Sequence, residues 1–463
     1  MPRPALSPAL VFALFAGLAG FALAGFSPGL LNDGDTYWHI RAGEWMLAHG
    51  QVLRADVFSY TAAGTPWHTQ EWLAEVVMAL AWRIQGWAGI HLLFATGAGV
   101  TAGVVGFFVR RRVDFVPALL TVVLGLSCVT GSLLARPHML ALPLLAIWTY
   151  GLAAAREKDQ PPNWWLLAVM PLWANLHGSF AFGLALAGAL ALEAVIESAD
   201  RRRAVLGWGL FLLAATGAAV ITPFGLQTLI FPFKLSGMQG LAHIGEWQPS
   251  DFSQLSAFAL LLLTALFVLG SGKVTVPFLR LLLLIGLVWL ALSHARHQML
   301  LGVTAPILIA PALQKSWPAE QSPASALFAL VAGALLLAMS GARLAVPVTR
   351  DDGPTTPAAA LAHVPRFVRD LPVLNDYGFG GYLIWNDVKP FIDSRADLYG
   401  DIFLQNYATI ISPDKDALAA SLAFHHARWT IFPAQSPVVK LLDDTQGWRR
   451  FYTDKVAVVH VHE

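Results

Sequence analysis

The sequence predicts an α-helical polytopic membrane protein that ends in a small extracytoplasmic α/β domain, and three observations carry that prediction. Apolar residues make up 56% of the 463 and charged residues only 13%, against ~25% charged in an ordinary soluble domain. Mean hydropathy is +0.58, and apolar runs near the roughly 17–25 residues that a span requires recur through the first three quarters of the chain. The stretch beyond about residue 347 differs in kind, with Pro and Asp set among short apolar segments. A formal net charge of +1 leaves no face basic enough for nucleic acid. The single cysteine, Cys128, excludes an internal disulfide, a Cys-ligated zinc site and an iron–sulfur cluster.

Runs of span length fall at about 8–27, 88–109, 115–134, 139–155, 163–177, 179–197, 204–222, 257–271, 276–293, 298–314 and 326–346, which makes 11 spans. Under that threading Arg3, Arg110, Arg111, Arg112, Arg156, Lys158, Arg201, Arg202, Arg203, Lys273 and Lys315 fall on one side. The positive-inside rule makes that side cytoplasmic, so the N-terminus is cytoplasmic and the C-terminal domain is not. Counting residues 71–85 as a span would move Arg110 to Arg112 outside. Glu71, Glu75 and Arg83, with Trp72 and Trp82, suit instead a helix lying at the membrane surface. A cleaved signal peptide ending at Ala22-Leu23-Ala24 is the lesser reading, because the apolar stretch is long and Arg3 is its one basic residue. The expected division is a transmembrane domain over 1–346, with its first outer loop at 28–87, and an extracytoplasmic domain over 347–463. No internal repeat is visible, which gives an inverted-repeat transporter no support.

The first outer loop is the most informative stretch. Asp33-Gly34-Asp35 puts two carboxylates just past the first span, and residues 36–49 can form an amphipathic helix. Two carboxylates at a water–lipid boundary can hold a hard divalent cation, Mg or Mn, through oxygen ligands. One of them can instead accept a proton from a hydroxyl. They can equally be caps, since carboxylates favour a helix N-terminus. The loop continues through Gly50, Asp56-Val57-Phe58-Ser59-Tyr60-Thr61, Gly64 and Pro66-Trp67 to the second surface helix.

An acid directly after the first span, an amphipathic helix, a Gly- and Pro-containing stretch and a second surface helix together resemble the GT-C glycosyltransferases. The resemblance covers about residues 8–346 in architecture, with its motif content in about 32–75. It reaches distantly to protein mannosyltransferase-like enzymes and oligosaccharyltransferase catalytic subunits. What it implies is a GT-C-like fold with two interfacial helices in the first outer loop. It also implies a bacterial inner-membrane enzyme that takes a hexose or pentose from a polyprenyl-phosphate-linked donor within the membrane lipid. The acceptor would be an extracytoplasmic glycan, lipid or protein. The family's acid maps onto Asp35, which Tyr37 and Arg41 follow, with Asp33 as second choice or as its metal partner.

A carrier phosphate at the outer boundary needs cations. Arg136-Pro137-His138 falls at the outer turn between the third and fourth spans, and His294-Ala295-Arg296-His297 ends the ninth on the same face. Arg136, His138, Arg296 and His297 are the expected phosphate partners, because a guanidinium grips phosphate oxygens bidentately. Arginine snorkelling to headgroups and histidine capping are the plainer readings. Asn175 with His177, and Glu246 beside Trp247, are expected to contact a sugar. Helix-to-helix bonding would occupy the first pair as well, and an interfacial anchor would explain the second.

In the last domain, short strands are expected at 372–374, 382–385 and 456–461. The glycines at 378, 380 and 381 make a weak phosphate-loop signal without the Lys-Ser/Thr of a Walker loop. Asp376-Tyr377-Gly378 is similar to the acceptor-recognition motif of oligosaccharyltransferases, with Leu374-Asn375 standing where that motif has two tryptophans. That similarity implies acceptor binding by Asp376 and Tyr377. Residues 390–401 read as a strand-to-loop exit, and an ion pair between Asp393 and Arg395 would make the same region a structural turn. Two further classes fit the composition: a lipid or saccharide transporter or flippase, and a non-catalytic envelope scaffold. Scarce ionisable residues inside the spans weigh against transport.

Overall fold

The computed structural model describes residues 5–243, 245–320 and 322–463, so Arg3 of the expected cytoplasmic set lies outside the described residues. The chain divides into two compact units, neither of them continuous in sequence. One comprises the residues up to Leu30 with Ala88–Phe233 and Ala242–Pro347; the other comprises Leu31–Trp87, Lys234–Leu241 and Val348–Glu463. The first outer loop therefore shares a unit with the C-terminal region.

Every expected span is met by a helix, the conformation that satisfies all backbone polar groups within one segment. Among the described residues seven helices are long and apolar enough to cross a membrane: Pro8–Gly25, Trp72–Arg110, Phe115–Ser132, Pro137–Glu157, Phe180–Glu197, Ala295–Ser316 and Leu327–Ala345. The shorter apolar helices Trp164–Leu176, Ala257–Gly270 and Phe278–Ser293, with Arg201–Ala219, account for the remaining runs. Helix Leu327–Ala345 leaves large apolar side chains in the open, with Leu337 76% exposed, a surface suited to hydrocarbon and not to water. The long helix Trp72–Arg110 is broken at Gln85 and Gly86, where Gly86 has φ 55° and ψ −140°. Only glycine holds that conformation without strain. The break separates the expected surface helix from the span that follows it.

Loop ends in the first unit sort into two sets. At one end Arg112 pairs with Glu157, Arg156 with Glu193 and Glu197, and Arg280 with Glu193, while Ser316 donates to the Lys273 carbonyl. At the other end Ala135 N–H donates to Leu30 O at 2.8 Å, Ala295 N–H to Gln248 O at 2.9 Å, and Asn175 Nδ2 to Ile221 O at 2.9 Å. The basic loops thus gather at one end of their unit, as the alternation of charge requires.

In the second unit Val373–Asn375, Trp429–Pro433, Trp448–Thr453 and Ala457–His462 form one sheet. Trp429–Pro433 lies between a parallel partner, Val373–Asn375, and an antiparallel one, Ala457–His462, which in turn carries Trp448–Thr453 at the edge. Successive side chains point to opposite faces, and both faces are covered. Leu374, Phe432 and Val458 pack beneath helices Ala396–Ile410, Lys415–Phe424 and Pro437–Asp443. Val373, Ile431 and Val459 pack beneath Ala358–His363 and Gly380–Trp385. A further core unites Trp38, Met46, Leu53 and Trp67 of the first loop with Ile384 and Leu398.

Two local expectations fail. Residues 382–385, read as a strand, lie in the helix Gly380–Trp385. Leu383 and Ile384 are both buried, and four apolar residues alone do not distinguish the two periods. Residues 390–395, read as a strand exit, form no strand. Asn375 supplies what a ladder would have: its Nδ2 donates to Ile392 O at 2.8 Å and its Oδ1 accepts from Phe391 N–H at 2.7 Å.

Candidate active site

The acidic turn lies where the first loop enters helix Asp35–His49. Asp33 is buried and Asp35 half-buried. Asp33 Oδ1 accepts from the Asp35 N–H at 3.3 Å, a local turn bond beside Gly34, the residue at the N-cap, where no side chain makes a cap bond. Asp35 instead turns Oδ1 to the hydroxyl of Ser394. The turn lies this close because the backbone facing it lacks side chains. A Cβ on Gly381 would stand 2.2 Å from Gly34 O, and one on Gly34 would stand 2.8 Å from Gly378 O. The glycine run read as a weak phosphate loop is therefore the bed of the acidic turn.

Around this turn the unit collects aromatic rings and one arginine. Tyr37 is fully buried, and its hydroxyl lies 3.0 Å from Thr356 Oγ1. The Arg350 guanidinium sits over the Tyr37 ring at 4.1 Å and the Trp87 ring at 4.9 Å, and its Nη2 donates to Asp33 O at 3.2 Å. Burial raises the Tyr37 phenol, with Arg350 opposing. Burial likewise lowers Arg350, against Tyr37 and Asp33. On the next turn His39 Nδ1 lies 3.2 Å from Glu75 Oε1. Burial first, and then the Glu71 charge, push Glu75 well above the ordinary carboxyl range.

Behind Ser394 stands a fully buried ionic cluster. Arg395 donates from Nη1 to Asp56 Oδ1 at 2.6 Å, and from Nε and Nη2 to both oxygens of Asp393 at 2.7 Å. Asp56 also accepts from the Ser59 N–H at 3.0 Å and the Ser59 hydroxyl at 2.6 Å. Tyr399 donates to Asp393 Oδ2 at 2.8 Å, and the Trp67 ring lies 4.8 Å from the guanidinium carbon. Burial alone would lower Arg395, but Asp393, Tyr399 and Asp56 hold it firmly charged. Trp67 Nε1 donates to Asp397 at 2.9 Å, whose carboxyl burial nonetheless raises.

The acceptor-motif residues lie in the same unit. Asp376 Oδ1 accepts from Gly378 N–H at 2.8 Å, and burial raises its carboxyl despite that bond. Tyr377 N–H donates to Tyr407 Oη at 3.0 Å, and its hydroxyl donates to Ser394 O at 3.1 Å. Asp35, Ser394 and Tyr377 are thus linked in one hydrogen-bonded group.

The first unit has its own cluster, at the end opposite the basic loops. Glu246 bridges two arginines: Arg136 Nη1 reaches Oε2 at 3.1 Å and Arg296 Nη1 reaches Oε1 at 3.2 Å. Arg296 also covers the Trp247 ring at 4.3 Å. The His138 and His177 rings lie 6.1 Å apart. His138 Nε2 donates to Ser132 O at 2.8 Å, and His177 Nδ1 accepts the Ser179 N–H at 3.1 Å. His297 Nδ1 donates to Leu290 O at 3.3 Å, closing the helix before it. Asn175 Nδ2 donates to Pro171 O at 2.7 Å and Ile221 O at 2.9 Å, fastening one helix end to another. The unit also holds an apolar cavity of about 720 Å³, lined by Phe12, Phe15, Leu119, Val122, Leu126 and Leu142.

Among the described residues no three His, Cys, Asp or Glu side chains converge on a point where a metal ion could be held. Asp33 gives one oxygen to the helix start and Asp35 one to Ser394. Two carboxylates are what Mg2+ commonly takes from a protein beside substrate phosphates and water, so Asp33 and Asp35 would be the residues to hold such an ion. Sequence reading passed over Ser394, Arg350, Trp38 and the partnership of Asp56 with Arg395. The one signal available was the density of charge around Asp393 and Arg395.

No family model matches the sequence, and no curated protein matches it. Solved structures do. The apo oligosaccharyltransferase of Archaeoglobus fulgidus superposes over 98% of this chain and 74% of its own, at TM-score 0.57 and 12% identity. The same enzyme tethered to an acceptor peptide with the NVT sequon gives TM-score 0.57 at 11% identity, over the same shares of both chains. ArnT from Cupriavidus metallidurans bound to undecaprenyl phosphate matches over 98% of this chain and 97% of its own, at TM-score 0.51 and 12% identity. These neighbours are GT-C glycosyltransferases, and the chain is a multi-pass membrane protein with the GT-C fold.

Proposed function

We propose that the protein transfers a sugar from a polyprenyl-phosphate-linked donor to an extracytoplasmic acceptor, in a bacterial inner membrane, with the Asp35 carboxylate as the base that orients and deprotonates the acceptor hydroxyl. The observation that carries this reading is the contrast inside the acidic turn: Asp33 is buried and turned back on the Asp35 N–H, while Asp35 is half-buried and held from the side by Ser394. A carboxylate fixed in direction yet open to solvent suits a base that must meet a substrate. A neighbour with the same fold was solved with undecaprenyl phosphate bound, which supports a carrier of that class.

Arg136 and Arg296 are proposed to neutralise the carrier phosphate. Both guanidinium groups contact the carboxylate of Glu246, so they stand together on one anionic group, and a guanidinium can grip phosphate oxygens bidentately. The departing carrier phosphate needs little protonation, so charge stabilisation is the main demand at that end. Asp376 and Tyr377 are proposed to act on the acceptor side.

The test is transfer of radiolabel from a panel of undecaprenyl-phosphate-linked hexoses and pentoses in membranes containing the wild type or Asp35→Asn. The expected result is labelled product with the wild type and a loss of at least about 100-fold in the variant, at unchanged expression. Normal turnover by Asp35→Asn would remove Asp35 from the chemistry.

A further inference from the structure

We propose that Ser394 is a positioning residue for Asp35, and that with Trp38 it forms a two-bond relay fixing the direction of that carboxylate. The proposal rests on the reading of Asp35 as the base and adds to it the group that aims it. Trp38 Nε1 lies 2.9 Å from Ser394 Oγ, and Ser394 Oγ is hydrogen-bonded to Asp35 Oδ1. An indole N–H only donates, so the serine oxygen accepts in the first bond. An ionised carboxylate only accepts, so the serine proton lies on Asp35. The chemistry at the two ends thus fixes the polarity of the whole relay.

Both ends of the relay stand on one helix. Asp35 and Trp38 are three residues apart in Asp35–His49, a spacing that places them on the same face. Ser394 comes from the C-terminal part of the same unit, 359 residues from Asp35 in sequence. Its backbone is secured on either side: Tyr377 Oη donates to its carbonyl at 3.1 Å, and the next residue, Arg395, is locked between Asp393 and Asp56. With Oδ1 bonded to Ser394, rotation of the carboxylate is restricted. The relay itself neither gives nor takes a proton during the reaction. What the C-terminal region contributes is the orientation of an acid that lies in the first outer loop.

Two measurements on the full-length protein in detergent test this. The first is a thermal-unfolding cycle with Ser394→Ala, Asp35→Ala and the double variant, each single change removing one partner of the bond. Shifts in Tm smaller in the double variant than the sum of the singles are expected for bonded partners; additive shifts overturn the relay. The second is turnover of the undecaprenyl-phosphate sugar panel. Ser394→Ala should lower kcat roughly tenfold, the loss expected for a hydrogen bond to a charged group, with KM changed by less than about twofold. Ser394→Thr, which keeps the hydroxyl, should restore most of the rate, and Trp38→Phe should cost less than Ser394→Ala. Loss of kcat and stability together without rescue by threonine would make Ser394 merely structural and overturn the proposal. An inactive Asp35→Asn beside a fully active Ser394→Ala overturns the relay alone, whereas an active Asp35→Asn overturns the reading on which it rests.

Discussion

Two of the arginine–carboxylate clusters, the one around Arg395 in the second unit and the one around Glu246 in the first, are built on opposite plans. In the second unit Arg395 is enclosed by two carboxylates, and Arg395, Asp56 and Asp393 have no exposed side-chain surface at all. In the first unit one carboxylate serves two arginines, and Glu246 keeps 32% of its side-chain surface exposed. A sealed cluster with every partner inside the protein cannot exchange any of them for a ligand. It holds together segments distant in sequence. An open cluster with more arginine than carboxylate, near solvent, is in a position to trade a protein carboxylate for an incoming anion. Stability should therefore depend on the first cluster and donor handling on the second.

The largest expected effect breaks the sealed cluster. Arg395→Met leaves Asp56 and Asp393 buried without their cation, a defect that typically costs about 3–5 kcal/mol. Denaturant or thermal unfolding in detergent would show it. A loss below about 1 kcal/mol would mean that water reaches the cluster and that the contrast between the two is false. Next comes the open cluster. Arg136→Gln and Arg296→Gln should each change stability by less than about 1 kcal/mol, as half-exposed pairs do. Each should also raise KM for an undecaprenyl-phosphate sugar roughly tenfold, the value of one charge-assisted bond. Unchanged KM in both would reassign these arginines to helix packing.

What the sequence made legible follows the range of the forces involved. Spans could be read because bilayer thickness imposes a length on each apolar run, a local constraint. Asp33 and Asp35 could be read because they mark a helix start beside a span. The pairing of Arg395 with Asp393, two residues away, could also be read, but the roles of Ser394 toward Asp35 and of Arg395 toward Asp56 could not, since those partners lie 359 and 339 residues away. The four apolar residues at 382–385 were misread because a short run has no period of its own. What decided it was the close seat of Gly381 against the Gly34 carbonyl, another long-range contact. The helix break at Gly86 lies between these cases: charge alternation implied a boundary near residue 87, and the backbone at Gly86 supplies it.

A third prediction probes a buried acid that has no arginine. Glu75 is raised by burial and by Glu71, so the fold favours its neutral form. That contribution to stability is complete below the ordinary value of 4.5 and is lost as pH rises toward the folded value. Glu75→Gln mimics the neutral acid at every pH. Its Tm should match the wild type under acid conditions and exceed it increasingly as pH rises. A constant difference across that range would mean that His39, 3.2 Å away, carries the charge balance instead.

The smallest effect belongs to an exposed arginine–carboxylate pair on the C-terminal sheet. Asp443, on the C-terminal sheet's outer helix, accepts from Arg450 Nε and Nη2 at 2.5 Å each and lies 3.0 Å from His460 Nε2. The geometry is as favourable as that around Arg395, and the bonds to Arg450 hold the Asp443 carboxyl down to about 2. Yet Arg450 keeps 47% of its side-chain surface exposed and Asp443 31%, so water and salt screen the pair. Because the folded value is depressed, the stabilisation is present above the ordinary value of 3.8 and disappears as pH falls toward about 2. Asp443→Asn should therefore cost less than about 1 kcal/mol at neutral pH and nothing measurable at the acid end, with the neutral-pH difference shrinking as salt is added. A cost as large as that of Arg395→Met would show that bidentate geometry, rather than burial, decides what an arginine–carboxylate pair contributes here, and the contrast between the sealed and open clusters would have to be redrawn on geometry.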